Sequence, residues 1–253
     1  MGADPLTIIT GGGRGIGRTI ALRMVRETAI MLVGRTSEDL CSTTEKSLAG
    51  RMDAWAGYTT GDVSDPATAI KCRELCSGFD VRNLICNAGI RKGGPTETFS
   101  AENWKRMFDV NVHGAFYFIR TFLPEMIKNG GGNIILMSST AGLRGLKRNM
   151  AYSATKAALI SMVKSLAAEH AKHGIRCVAI CPNVIEGGMT DSMIKNLARH
   201  RGISEGDARQ IVINSTPEKR IILQEEVAEA IATICNGGPI PKDNVLVING
   251  EKP

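Results

Sequence analysis

The chain has 253 residues, 43% hydrophobic and 22% charged, a composition that excludes intrinsic disorder and supplies a sizeable core. Aromatic residues make up only 4% against 28 glycines, which excludes a stacking platform for single-stranded nucleic acid and suits many tight strand-to-helix turns. The formal charge of +6 comes from 31 Lys and Arg scattered among 25 acids, so it points to small anionic ligands and away from nucleic acid.

Short apolar runs alternate with helical patterns along the chain, the signature of an α/β class fold with a doubly wound parallel sheet covered by helices on both faces. Seven strands are predicted near 6–10, 29–33, 56–61, 81–86, 133–138, 175–181 and 244–248. Helices are predicted over 15–27, 38–48, 67–76, 101–128, 150–173 and 225–235. The helix over 150–173 carries apolar residues on more than one stripe, so one side is expected to face the sheet and another a partner subunit. The stretch 187–217 breaks the rhythm and reads as a lid inserted after the sixth strand. With no repeat or linker, residues 1–253 read as a single domain.

Cys41, Cys72, Cys76, Cys86, Cys177, Cys181 and Cys235 are odd in number and contain no C-x-x-C pair, so reduced thiols are expected instead of a disulfide framework or zinc site. Cys72 and Cys76 are expected on one helix face, Cys177 and Cys181 on one sheet face. The first residues lack the pattern of a signal peptide, and no run of about 18 apolar residues occurs. The expectation is a cytoplasmic protein with no membrane and no nucleic-acid partner.

Between the first strand and first helix lies Gly11-Gly12-Gly13-Arg14-Gly15-Ile16-Gly17. Glycines there let the backbone approach a pyrophosphate, while the helix N-terminus meets its negative charge. The register is T-G-x-x-x-G-x-G, with Ile16 where a G-x-G-x-x-G fingerprint needs its third glycine. A P-loop is the alternative reading, from the spacing of Gly12 and Gly17, but Arg18 stands in the place of its lysine. A glycine-rich turn with no ligand is the bland reading.

Tyr152 and Lys156 stand four apart at the start of the long helix and so share a helical face. Ser139 precedes Tyr152 by a loop that can return to the helix start. Free tyrosine has a pKa of about 10, and a nearby ammonium stabilises the phenolate enough for proton transfer near neutral pH.

Together with Asp62-Val63, Asn87-Ala88-Gly89, Asn111 and Ser138-Ser139, these motifs follow the order and spacing of a known family. The chain resembles the classical short-chain dehydrogenase/reductases over about 6–250, and within them the 3-oxoacyl-thioester reductases. That resemblance implies a Rossmann-type sheet, and it implies that Tyr152 exchanges a proton with the substrate oxygen. It further implies that Lys156 holds the nicotinamide ribose and lowers the tyrosine pKa, that Ser139 polarises the carbonyl and that Asn111 orders a water. Pro182 and Ile185 are expected beside the cofactor together with Asp62, Val63, Asn87 and Gly89. Three residues depart from the family pattern: Cys86 replaces the first of two Asn, Asn183 the Gly after Pro182, and Gly187 the Thr that grips the nicotinamide carboxamide unless Thr190 or a backbone N–H substitutes.

After the second strand the chain reads Val33-Gly34-Arg35-Thr36, with no acid to hold an adenosine 2'-hydroxyl. Arg35, Arg14 and Thr36 suit a 2'-phosphate, so NADP(H) is the expected cofactor. The four histidines form no ligand cluster, so no metal is expected, and Phe116-Tyr117-Phe118 is read as core. Arg91, Lys92, Arg144, Lys147 and Arg148 are candidates to line the cleft mouth against an anionic substrate, and Val184, Ile185, Met189, Met193 and Ile194 to cover an acyl or alicyclic body. The resemblance implies an oxidoreductase acting on a small-molecule ketone or alcohol, with 3-oxoacyl thioesters first and cyclic ketones or steroid-like alcohols behind them, assembled as a homotetramer. The alternative of another class is a non-catalytic nucleotide-binding regulator on the same fold.

Overall fold

Alternate residues of each strand enter two different cores. Leu6, Ile8, Met31, Val33, Leu84, Ile134, Leu136, Cys177 and Cys181 belong to one, and Ile9, Ile30, Leu32, Ile85, Ile135, Val178 and Ile180 to the other. Side chains alternate along a strand, so a sheet apolar at successive positions must be covered on both faces.

The computed structural model describes residues 3–50 and 54–249. In chain order it contains β1 (Pro5–Thr10), α1 (Gly15–Met24), β2 (Ala29–Gly34), α2 (Ser37–Leu48), β3 (Ala56–Thr60), α3 (Pro66–Leu75) and β4 (Asp80–Cys86). There follow α4 (Ala101–Phe108), a π turn (Asp109–His113), α5 (Gly114–Lys128), β5 (Gly132–Met137), α6 (Thr140–Leu143) and α7 (Met150–His170). The remainder is β6 (Ile175–Pro182), α8 (Gly188–Arg201), α9 (Glu205–Ser215), α10 (Gln224–Cys235) and β7 (Val245–Ile248). The strands form one parallel sheet of order β3-β2-β1-β4-β5-β6-β7. Residues of α3, α5 and α7 cover one face, and residues of α1, α2 and α10 the other. The order reverses between β1 and β4, and at such a switch point the loops at the carboxyl ends of the strands diverge and leave a crevice.

Several expectations change in detail. The single helix expected over 101–128 is interrupted by the π turn at Asp109–His113, which contains Asn111. The stretch expected as a lid forms a helical hairpin, α8 and α9, with a small core of Ile194, Ala198, Ala208 and Val212. Ile194 is buried within the hairpin. Of the aromatic triplet only Phe118 is fully buried, Tyr117 is partly so, and Phe116 is 46% exposed. The cysteines are all free, with Cys72 and Cys76 buried in the same core as Cys177 and Cys181.

A buried polar chain crosses the opposite end of the sheet from the crevice. Asn83 donates to Thr7 Oγ1 at 2.9 Å, Asn133 donates to Asn83 Oδ1 at 2.8 Å, and Arg176 donates to Asn133 Oδ1 at 3.2 Å and to the Ile234 carbonyl at 2.8 Å. Polar side chains on four adjacent strands thereby fix one another, and a gap in the chain leaves buried groups short of partners. Replacing Asn83 with Leu is expected to lower stability by about 2 kcal/mol, checked by urea unfolding of the variant beside the wild type.

Candidate active site

The glycine loop is fastened to the loop after β4 by one buried threonine. Thr10 Oγ1 accepts from the Asn87 amide at 3.0 Å and the Ala88 amide at 3.1 Å, and Asn87 Nδ2 donates to the carbonyls of Thr10 (3.0 Å) and Gly11 (3.3 Å). Asn87 thus holds the crevice floor together. A Cβ at Gly17 would sit 2.0 Å from the Gly11 carbonyl oxygen, so only glycine lets α1 lie this close to the loop that precedes it. Arg18 closes the outer side, donating to the Gly13 carbonyl at 2.7 Å and to Thr43 Oγ1 at 3.0 Å.

This cradle is built for an anion. Arg14, at the cap position of α1, makes no capping bond, and no acid occupies the first turn, so no side chain of the helix end neutralises the donors at Gly15, Ile16 and Gly17. The Gly11 and Gly12 amides donate to the Val33 carbonyl at 2.7 and 3.3 Å, which brings the end of β2 against the loop. Arg14, Arg35 and Thr36 are exposed there, and Thr36 makes no capping bond to α2. The residues present fit a dinucleotide phosphate.

Asp62 and Val63 are held from another direction. Asp62 Oδ1 accepts from the Ser64 amide at 3.0 Å and its hydroxyl at 2.7 Å, while Oδ2 pairs with Arg106. Burial alone would push the Asp62 carboxyl up, but the Ser64 hydrogen bonds and the Arg106 guanidinium together hold it at about 2. Val63 is buried against Gly114, where a Cβ would come within 2.8 Å of it.

The four expected catalytic side chains converge where β4, β5 and β6 end. Ser139 caps α6, accepting from the Ala141 amide at 3.1 Å. Its hydroxyl acts on the Tyr152 phenol, which is 9% exposed. Burial raises the phenol above the usual tyrosine value, and the Arg91 guanidinium and the Ser139 hydroxyl pull it back. Lys156, 5% exposed, donates to the Met137 carbonyl at 2.6 Å, and its ammonium lies 5.6 Å from the Tyr152 ring centroid. Burial lowers that ammonium to about 8. A Cβ on Gly89 would lie 3.4 Å from Asn111 Oδ1 and 3.5 Å from Lys156 Nζ, which places these three residues around one point.

Asn111 bridges two elements. Its Oδ1 accepts from the Ile90 amide at 2.8 Å, and its Nδ2 donates to the Ile90 carbonyl at 2.9 Å and to Thr155 Oγ1 at 3.0 Å. The π turn around it shifts the hydrogen-bond ladder of the helix, a distortion that commonly marks functional sites.

Pro182 ends β6, and its carbonyl lies 3.5 Å from Ser139 Oγ. Ile185 forms a bridge to Ile222 beyond the hairpin. Its carbonyl accepts the Thr190 hydroxyl at 2.5 Å, so the proton of Thr190 is committed to the loop itself. Gly187 adopts φ +128°, a conformation that threonine strongly disfavours, which accounts for the departure at this position.

Asn111, Lys156 and Gly89 lie around one point, Tyr152 stands beside Lys156, and Thr10 with Asn87 joins the glycine loop to the loop that carries Gly89. Thr10, Asn149 and Thr155 carry no spacing signature in the sequence, and the structure brings Thr10 and Thr155 in as buried hydroxyls and Asn149 as a partly buried amide. Ser138 donates to the Lys156 carbonyl at 2.8 Å and pins α7 to β5. Of the basic residues expected at the mouth, Arg144, Lys147 and Arg148 are exposed, Lys92 donates to Asn103 at 3.1 Å, and Arg91 turns inward over Tyr152 with its Cζ 5.5 Å from the ring centroid. A buried phenol beside a hydroxyl and cations can give a proton to, or take one from, an oxygen placed between Ser139 and Tyr152.

The family described as short chain dehydrogenase matches residues 5–198. An uncharacterized oxidoreductase of Thermotoga maritima is 32% identical over 97% of this chain and 96% of its own. Levodione reductase of Leifsonia aquatica is 31% identical over 90% of this chain and 86% of its own. A crystal structure of levodione reductase superposes with a TM-score of 0.91 at 29% identity, covering 99% of this chain and 98% of that one. Family match, whole-chain relatives and fold agree with the crevice geometry, and the chain belongs to the short-chain dehydrogenase/reductase family of oxidoreductases acting on alcohol and ketone groups.

Proposed function

We propose that this protein is an NADP(H)-dependent oxidoreductase that interconverts a ketone and a secondary alcohol. The observation that carries the reading is the convergence of Tyr152, Ser139, Lys156 and Asn111 beside an anion cradle whose helix end lacks a side-chain cap. The loop from Gly11 to Gly17 would hold the pyrophosphate, and Arg14, Arg35 and Thr36 a 2'-phosphate. Asp62, Val63, Asn87, Gly89, Pro182 and Ile185 would line the rest of the nucleotide's path. A bound nicotinamide supplies hydride exchange with the carbinol carbon.

The protein's own share is proton chemistry and orientation. Tyr152 gives its phenolic proton to the carbonyl oxygen in reduction and recovers it in oxidation, while Ser139 hydrogen-bonds the same oxygen. The Lys156 ammonium, held by the Met137 carbonyl, supplies positive charge behind the phenol, and Asn111 fixes the Ile90 loop opposite. An intact set of this kind favours catalysis over the regulatory alternative, since a sensor needs only the nucleotide contacts. The exposed Arg144, Lys147 and Arg148 would meet charge at the far end of a long substrate, which makes a 3-oxoacyl thioester the first substrate class to test. No helix among the described residues is long and apolar enough to cross a membrane, and we place the protein in the cytoplasm.

Assembly follows from surface chemistry. Phe116, Met150 and Val247, in α5, α7 and β7, are exposed large apolar side chains at 46%, 46% and 42%. A homotetramer formed through the two long helices and the C-terminal strand would cover them.

Three outcomes check this reading. Tyr152→Phe is expected to keep the fold and nucleotide binding while losing at least about 100-fold in turnover, measured by nicotinamide absorbance over a panel of ketones and alcohols; near-normal turnover would refute the proton role. Arg35→Asp should weaken NADPH relative to NADH by about 2 kcal/mol or more in binding titrations, and a wild type that already prefers NADH would overturn the assignment of Arg14 and Arg35. Light scattering at micromolar concentration should give the mass of four chains, and a monomer would count against the tetramer.

A further inference from the structure

Arg91 lies beside Tyr152 with no carboxylate partner among the described residues. Arg23, Arg106, Arg209 and Arg220 each pair with a carboxylate, whereas Arg91, half-buried and closer to the reacting centre, forms no ion pair among the described residues. Its conformation is nevertheless determined. Nε donates to Asn149 Oδ1 at 2.9 Å, one Nη meets the Met193 sulfur at 3.7 Å, and the guanidinium carbon lies 5.5 Å from the Tyr152 ring centroid. The loop that carries it is tied down by the Gly94 amide, which donates to the Arg148 carbonyl at 2.8 Å.

These partners are an amide oxygen, a thioether and a π face, none of which neutralises a guanidinium, and the second terminal nitrogen makes no hydrogen bond among the described residues. Desolvating an arginine without an anion is costly, and a planar fork held at one end is well suited to receive a carboxylate at the other. A wall built only to cover an uncharged acyl chain would be better made from an apolar residue, as Met193 beside it is.

We propose that Arg91 is an inner anion site, which makes the substrate a short oxo acid or hydroxy acid whose own carboxylate pairs with this guanidinium while Ser139 and Tyr152 hold its carbonyl or hydroxyl oxygen. This inference rests on the reading of Ser139 and Tyr152 as the carbonyl-binding groups, and within the acyl class it selects the free acid over the thioester. It also assigns α8 a part in closure, because Met193 brings that helix against the same arginine and a bound carboxylate would be covered by it. No covalent step is added, since the carboxylate is bound and unchanged.

The test compares short 2-, 3- and 4-oxo acids with their methyl esters, and a 3-oxoacyl thioester with its free acid, in wild type, Arg91→Gln and Arg91→Lys, with NADPH and with NADH. Calorimetric titration of the same acids into wild type, Arg91→Gln and Tyr152→Phe gives a second readout that needs no turnover. At least one acid is expected to exceed its ester by about 30-fold or more in kcat/KM, the preference residing in KM, collapsing in Arg91→Gln and surviving in part in Arg91→Lys. Acid binding should persist in Tyr152→Phe and be lost in Arg91→Gln.

The inference is overturned if esters or the thioester serve as well as the acids. It is equally overturned if Arg91→Gln moves the pH profile for acid and ester alike with their ratio unchanged, the result expected were Arg91 only a modifier of Tyr152 acidity. If acids bind through Arg91 but no ketone is reduced and no alcohol oxidised by the wild type, the anion site stands and the oxidoreductase reading falls. If acids neither bind nor react while an uncharged ketone is reduced in a Tyr152-dependent way, the oxidoreductase reading stands and the anion site falls.

Discussion

A buried ammonium orders the crevice. Lys156 is 5% exposed and has its charge within 2.6 Å of the Met137 carbonyl, at the last residue of β5. An isolated ammonium in a protein interior is strongly disfavoured, so the group must be partnered and its pKa falls, here to about 8. The partner can be reached only if α7 runs close beneath the end of β5. Two further contacts enforce that approach: Ser138 donates to the Lys156 carbonyl at 2.8 Å, and Gly142 of α6 leaves room where a Cβ would come within 2.6 Å of the Lys156 carbonyl carbon. With α7 pinned in this way, Tyr152 one turn earlier has no freedom to leave Ser139.

The same economy of contacts joins the glycine loop to Tyr152 and Lys156. Thr10 and Asn87 tie the loops after β1 and β4 together across the point where strand order reverses, and two residues past Asn87 the chain passes Gly89, against which Lys156 and Asn111 are both set. The loops after β1 and β4, the π turn and the start of α7 are thus parts of one hydrogen-bonded floor. The sheet is divided between its ends. The polar chain from Thr7 through Asn83 and Asn133 to Arg176 stiffens the end away from the crevice, while the carboxyl end carries loops, an uncapped helix start and the α8–α9 hairpin with its own small core. Rigid strands under adaptable loops are the arrangement that lets reacting groups stay fixed while a covering element moves.

Much of this was legible in the amino-acid sequence because the signals are local. Seven apolar runs with β-branched residues specify strands wherever they lie, and the seven expected strands match β1 to β7 to within about two residues. The glycine run between β1 and α1 announces an anion cradle because tight turns and close approach require glycine whatever surrounds them. Tyr152 and Lys156 share a face by helical geometry alone. The elements less well anticipated are those whose form depends on distant partners. The π turn exists where Asn111 bonds Ile90, 21 positions away, and the hairpin of α8 and α9 is held by apolar side chains that could equally have faced a ligand.

Sequence by itself determined the fold class, the strand count and the place of the glycine loop between the first strand and the first helix, since each rests on periodicity or on short, jointly specific motifs. Tertiary structure alone decided which charge lies where. Arg91, Lys92, Arg144, Lys147 and Arg148 are indistinguishable as basic loop residues in the chain, yet Arg91 is turned inward over Tyr152 while the other four are exposed, Lys92 with a hydrogen bond to Asn103. The reason is physical: a long cationic side chain takes its direction from the acceptors within reach, and Asn149 and Met193 are brought to Arg91 by α7 and α8 across 58 and 102 positions of sequence.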